Sequence, residues 1–302
     1  MTSRSKGFVL SLVSLTTAVS AHAAGGFTLD QDEIPASRVE SRPRGSDFAQ
    51  EILIGGSYRN FDYVEYDDTS SHLDGEMGNM PGVNLGYRGD FRRFFVGADL
   101  TVVSSHTTYH GSNQAGTVAV DNRTKTGLIE IEGDVGMPFL ESESFAIKGY
   151  SGLGFHSWRR GETGVANGVA VLREDYSWLV LPVGVRFEAS LADAVKLSFD
   201  ASARLSSNGS LDIKFSEYDD SLEDAHVDLG AKIGYRFQLP FEIALARSVS
   251  LVTTPWYEYS AIGESNTTEV KLADGSGTGN FILEPSSHTK QAGITLQVGV
   301  LF

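Results

Sequence analysis

The chain of 302 residues contains no cysteine. No disulfide can staple it, and cysteine-ligated metal sites and a cysteine nucleophile are excluded. Positive charge is also short. Twenty-four Lys and Arg stand against 39 Asp and Glu, a formal charge of −15, which argues against nucleic acid as a partner. Proline is scarce at 8 residues while glycine reaches 33, a balance that suits many tightly packed strands. Long hydrophobic runs are missing beyond the amino-terminal segment. Elsewhere charge or glycine interrupts every apolar stretch within a few residues, so no other segment has the ~20 apolar residues of a spanning helix.

The amino terminus itself reads as an export signal. Arg4 and Lys6 form a short basic segment, Phe8 to Ala21 is apolar, and Ala21-His22-Ala23 is a small-x-small cleavage triplet. Residues 1–23 are therefore expected to be a signal peptide, with the mature chain starting near Ala24. Losing the two cations Arg4 and Lys6 takes −15 to −17. Residues 24–48 are polar, with Pro35, Pro43 and Gly45, and are expected to be a loosely ordered periplasmic leader. An exported chain without a spanning helix is either soluble or a closed barrel of strands. A mean hydropathy of −0.13 does not exclude the barrel, because barrel strands are half polar.

What the sequence does have is a period of two. From Ala292 to Phe302, the last residue, Ala292, Ile294, Leu296, Val298, Val300 and Phe302 share one face, and Gly293, Thr295, Gln297 and Gly299 the other. The pattern recurs in Pro81–Arg88, Phe94–Val103, Gly127–Phe139, Phe145–His156, Trp178–Glu188, Val195–Leu205, Val227–Phe237 and, less regularly, Val249–Tyr259. Glu51–Val64 is strand-like, but its parity slips near Arg59–Phe61, which predicts a bulge. These ten segments predict an all-β fold, a closed antiparallel transmembrane barrel over residues 49–302. Their connections alternate. Gly89–Arg93, Leu140–Ser144, Leu191–Asp193 and roughly Leu239–Ser248 are short. Glu65–Asn79, His106–Arg123, Arg159–Arg173, Ser206–Asp224 and Ile262–Lys290 are long and polar. Barrels place short turns in the periplasm and long loops outside. Aromatics mark two interfaces: Phe94, Phe139, Phe145, Phe187, Phe237 and Phe302 at the short-turn end, and Tyr63, Phe155, Trp158, Trp178, Tyr257 and Tyr259 at the other.

The signal peptide, the ten alternating segments and the closing strand ending in Phe302 resemble the small outer-membrane β-barrel proteins of Gram-negative bacteria, over about Glu51–Phe302. The resemblance implies a monomer in the bacterial outer membrane, in contact with lipid and lipopolysaccharide. It also implies insertion by the outer-membrane barrel assembly machinery, with Phe302 as part of the signal that machinery reads. It implies no cofactor.

If the apolar face meets lipid, the polar face lines the lumen. Expected there are the cations Arg88, Lys148, Arg186, Lys196, Arg204, Lys232 and Arg236 and the acids Asp99, Glu130, Glu132, Asp134, Glu188, Asp200, Asp228 and Glu258. Ten strands enclose a space only slightly wider than side chains fill. Buried charges must pair, so an ion-pair plug is expected, with a structural or surface-binding role left to the external loops. A narrow polar channel with Glu130, Glu132 and Asp134 as a cation-attracting stripe is the competing reading. A third reading rests on Asp224-Ala-His226, where a carboxylate and an imidazole two residues apart in a strand share a face and so suit base catalysis. This pair resembles the Asp–His pair of the omptin proteases, which are ten-stranded barrels with catalysis at the outer rim. The omptins' opposing pair of acids is not matched, since His106–Arg123 offers only Asp121. Asp62, Glu65, Asp67, Asp68, Asp74 and Glu76 cluster around the first long loop without the spacing of a helix–loop–helix calcium site, and His106 and His110 lack a third ligand. No metal site is assigned. Asn122, Asn208 and Asn266 open short glycosylation-like triplets of a kind frequent by chance.

Overall fold

The computed structural model describes residues 48–66, 72–91, 93–112, 119–166 and 168–302. The expected signal peptide, and the expected leader except Phe48, lie outside the described residues. Five long strands come first: β1 (Phe48–Tyr66), β2 (His72–Phe91), β3 (Phe94–Ser112), β4 (Ala119–Glu141) and β5 (Phe145–Arg160). A small hairpin, β6 (Gly164–Ala166) with β7 (Val169–Val171), follows, and then β8 (Glu174–Ala192) and β9 (Val195–Ile213). Next are β10 (Ala225–Gly230), β11 (Lys232–Gln238) and β12 (Phe241–Ala246), and then β13 (Val249–Ser265). A second hairpin, β14 (Thr268–Lys271) with β15 (Gly277–Ile282), precedes the closing strand β16 (Ser286–Leu301).

The barrel has ten staves. β10, β11 and β12 run in series between β9 and β13 as one interrupted stave. Pro240, which cannot donate to a ladder, separates two of the pieces. At the other break, Gly230 pairs with Gly263, and a Cβ on Gly263 would lie 2.8 Å from the Gly230 backbone. β16 closes the ring on β1, from Glu51 opposite Leu301 to Tyr66 opposite Ser286, so the ring of described strands has no open edge. Phe302 donates its backbone N–H to the Gln50 carbonyl at 3.0 Å.

The outward face carries an apolar belt. On β4 it runs from Ile129 to Phe139, and the closing strand presents Ile294, Leu296, Val298 and Val300. Strands of ~9–11 residues cross a bilayer, whereas β4 has 23. The wall therefore rises well above the belt, where Asp121, Arg123 and Lys125 face out in place of Ile and Val. Much of the expected long loops is wall. β3 continues to Ser112 and β4 starts at Ala119, because Thr107 and Tyr109 keep pointing inward while polar residues cover the outside.

Two expectations are corrected here. There is no bulge at Arg59–Phe61. Pairing is continuous from Glu51 to Val64 on both sides of β1, and the register shifts only between Val64 and Tyr66. Phe61 and Tyr63 point into the barrel in phase with Ser57 and Arg59, so the apolar residues change side at this height while the strand keeps its parity. For the same reason half of the expected outer girdle is inside. Phe155, Tyr257 and Tyr259 are on the outer surface, whereas Tyr63, Trp158 and Trp178 are buried in the interior.

Candidate functional site

The lumen is filled in tiers. Nearest the short turns, Lys148 meets Glu188 at 3.1 Å and Asp90 at 3.3 Å, Lys196 meets Glu188 at 2.9 Å, and Arg186 meets Asp200 at 3.0 Å. Arg88 reaches Glu242 at 3.8 Å. Asp99 and Asp134 line the adjoining cavity, of about 150 Å³.

The next tier crosses the lumen. Arg59 grips Glu130 with both terminal nitrogens, at 2.7 and 2.6 Å, and Gln291 at 2.9 Å. Arg204 pairs with Glu132 and with Glu258 at 3.5 Å, and Arg236 reaches Glu258 at 3.6 Å. His156 lies 2.8 Å from Glu132. Arg59 and Arg236 each lie over the Trp256 ring, at 5.1 and 5.0 Å from its centre. Gly293 makes room for that ring, since a Cβ there would come within 2.6 Å of it. Arg59 and Arg204 reach carboxylates three staves away on β4, so these pairs tie separate parts of the wall together.

Above this lies an apolar tier. Trp158 is packed by Phe61 at 5.4 Å, Tyr63 at 4.9 Å and Tyr176 at 4.8 Å between ring centres. Met80, Val103, Leu128, Leu211 and Val227 complete a core that is almost wholly buried. This is the cross-section of a soluble protein core set across the barrel.

The outermost tier is acidic. Arg160 donates to Glu76 at 2.8 Å, Glu65 at 3.1 Å and Glu174 at 3.0 Å, and its guanidinium lies over the Tyr63, Tyr109 and Trp158 rings. Glu284, from the segment between β15 and β16, accepts from Tyr63 at 3.2 Å and Tyr176 at 2.7 Å. Burial, then the charge of Glu174, pushes the Glu284 carboxyl up to about 8. Burial also raises Glu65 and Glu174 above the ordinary carboxylate range, against the pull of Arg160.

Of the residues expected in the lumen network, Asp228 and Lys232 are elsewhere. Asp228 is exposed on the outside of β10, and Lys232 is exposed at the break between β10 and β11, where the alternation slips. The Asp224–His226 pair does not form. Asp224 accepts from Ser216 at 2.7 Å and meets Lys214 at 3.1 Å, while His226 contacts Asp212 on β9 at 2.8 Å. His226 faces outward, since Ala225 and Val227 take the inward positions. His110 likewise contacts Asp121 at 2.6 Å on the exposed wall. Among the described residues no group of three or more His, Cys, Asp or Glu is arranged to hold a metal. Asp67 and Asp68 lie outside the described residues.

Sequence reasoning missed Arg59, Arg160, Glu174 and Glu284. The misplaced bulge hid Arg59. Arg160 and Glu284 fall in the expected long loops, and Glu174 between the expected loop Arg159–Arg173 and the strand from Trp178, although Trp158, Arg160 and Glu174, Tyr176 each continue an inward alternation.

The ring matches a solved structure over nearly its whole length. The outer membrane protease OmpT from Escherichia coli superposes with a TM-score of 0.57 at 8% identity, covering 85% of this chain and 97% of that one. This chain has the fold of an outer-membrane β-barrel. Looser likenesses are to the translocator domain of the autotransporter NalP from Neisseria meningitidis (TM-score 0.39, 11% identity, 85% and 90% covered) and to the outer membrane protein OprG from Pseudomonas aeruginosa (0.37, 8%, 83% and 95%). No family model and no curated protein matches the sequence.

Proposed function

We propose that this outer-membrane barrel is a closed, non-conducting wall element that acts through its outer end. The observation that carries this reading is the double closure of the lumen, by cross-barrel ion pairs around Arg59 and Glu130 and by the aromatic tier around Trp158. Buried ion pairs add little net stability over apolar packing, but removing one partner is costly, so such a network holds a shape. Interaction with partners then falls to the rim, where β6–β7 and β14–β15 form hairpins. The competing protease reading receives no support from the geometry, because His226 and Asp224 have separate partners and His226 faces out. Proteoliposomes carrying the protein should swell in a small sugar no faster than empty liposomes. Swelling at a porin-like rate would contradict the closed reading.

A further inference from the structure

The acidic outer tier has more carboxylates than cations can serve. Glu65, Glu76 and Glu174 all bind one guanidinium, that of Arg160. Glu284 stands beside them with no cation of its own among the contacts in the structure, held only by two phenols. It is 9% exposed. Its position on the chain gives this a consequence. Glu284 lies in the external segment between β13 and β16 that carries the β14–β15 hairpin. Ser265, at the end of β13, clasps it twice: the Ser265 hydroxyl accepts from the Glu284 N–H at 2.8 Å, and the Ser265 N–H donates to the Glu284 carbonyl at 3.0 Å. The carboxyl therefore pins the base of a hairpin strap onto the barrel interior.

We infer that Glu284 is a proton-dependent latch: it holds the base of the strap against the barrel interior while protonated and releases it when ionised. The groups facing it come from every neighbouring stave. β1 supplies Tyr63 and Glu65, β2 Asp74 and Glu76, β3 Tyr109, β5 Arg160, and β8 Glu174 and Tyr176. Among the described residues facing it only Arg160 is cationic, and three carboxylates already share it. An ionised Glu284 would add a further negative charge beside Glu65, Asp74, Glu76 and Glu174 in a water-poor pocket, where like charges repel strongly. A neutral carboxylic acid there keeps its phenol hydrogen bonds and adds no charge. Opening the strap lets the carboxylate reach water.

The test is site-resolved hydrogen exchange on the full-length protein in lipid nanodiscs, with rates corrected for intrinsic exchange, read at the Ser265 and Glu284 amides. Between pH 6 and pH 9 their protection should fall by on the order of tenfold to a hundredfold, as expected when the closed form binds one more proton than the open form. Glu284→Gln, neutral at every pH, should remove the pH dependence. Glu174→Gln, which removes a neighbouring charge, should keep the dependence and move its midpoint to lower pH, because loss of the Glu174 charge makes ionisation of Glu284 easier. Protection that is flat with pH in the wild type, that falls equally in Glu284→Gln, or whose midpoint rises in Glu174→Gln would each overturn the latch.

Discussion

The two halves of the lumen solve the same problem with different chemistry. In the lower half the interior charges nearly balance, and Arg59, Arg204 and Arg236 each find a carboxylate on another stave. In the upper half, aromatic packing fills the bore, and above it one guanidinium serves several acids. The lower half has the lipid belt around it, and its cations nearest the short turns, Arg88, Arg186 and Lys196, keep part of their side chains in contact with solvent. The upper half stands above the belt with polar residues on both sides of the wall, so its charges lie close to an open end. Glu65, Glu76 and Glu284 are nevertheless buried, so the surplus of acids there is met by protons and not by water.

The most damaging single change should be Arg160→Ala. It removes the only cation shared by Glu65, Glu76 and Glu174, and breaking buried pairs in this way costs about 3–5 kcal/mol. Urea unfolding in lipid vesicles should show that loss at pH 8 and a smaller one at pH 5, where the acids take up protons. Trp158→Ala should cost ~3–5 kcal/mol as well, through the cavity it leaves among Phe61, Tyr63 and Tyr176. Its cost should not vary with pH, which separates packing from charge within the same half.

The wild-type protein should lose some stability on going from pH 5 to pH 9. Folded Glu284 keeps its proton up to about 8, whereas the unfolded chain releases it in the ordinary carboxylate range. The folded state then binds more protons across that window, and stability falls as pH rises through it. Unfolding midpoints that rise over the same range would contradict this. The smallest effect belongs to the outer wall. His226 is exposed, so His226→Ala should change stability by less than ~0.5 kcal/mol and leave any surface activity intact.

The fold was readable in the sequence because lipid imposes a simple rule. In the belt, every other residue is apolar, and Ile294 to Val300 alternate with Thr295, Gln297 and Gly299 as that rule demands. Above the belt the rule reverses. Phe61, Tyr63 and Trp158 are apolar and face inward, while Arg123 and Lys125 face outward. Hydrophobicity alone could not show where the reversal occurs, so aromatics of the plug read as a membrane girdle and β3 and β4 were cut short. The lumen charges in the belt were legible for the same reason that the strands were. Asp228 and Lys232 were lost to a break in one stave, where Gly230 and Gly263 come together and the parity cannot be carried across. The acidic tier was illegible because its members come from five separate stretches of chain, and only the closed ring brings Glu65, Glu76, Arg160, Glu174 and Glu284 together.

The proposed closure of the bore by two independent tiers is tested most directly by planar-bilayer recording. Wild-type protein inserted into a bilayer should show no steady conductance, and Trp158→Ala should stay silent because the Arg59–Glu130 tier remains. Large, stable channels from the wild-type protein would contradict the account.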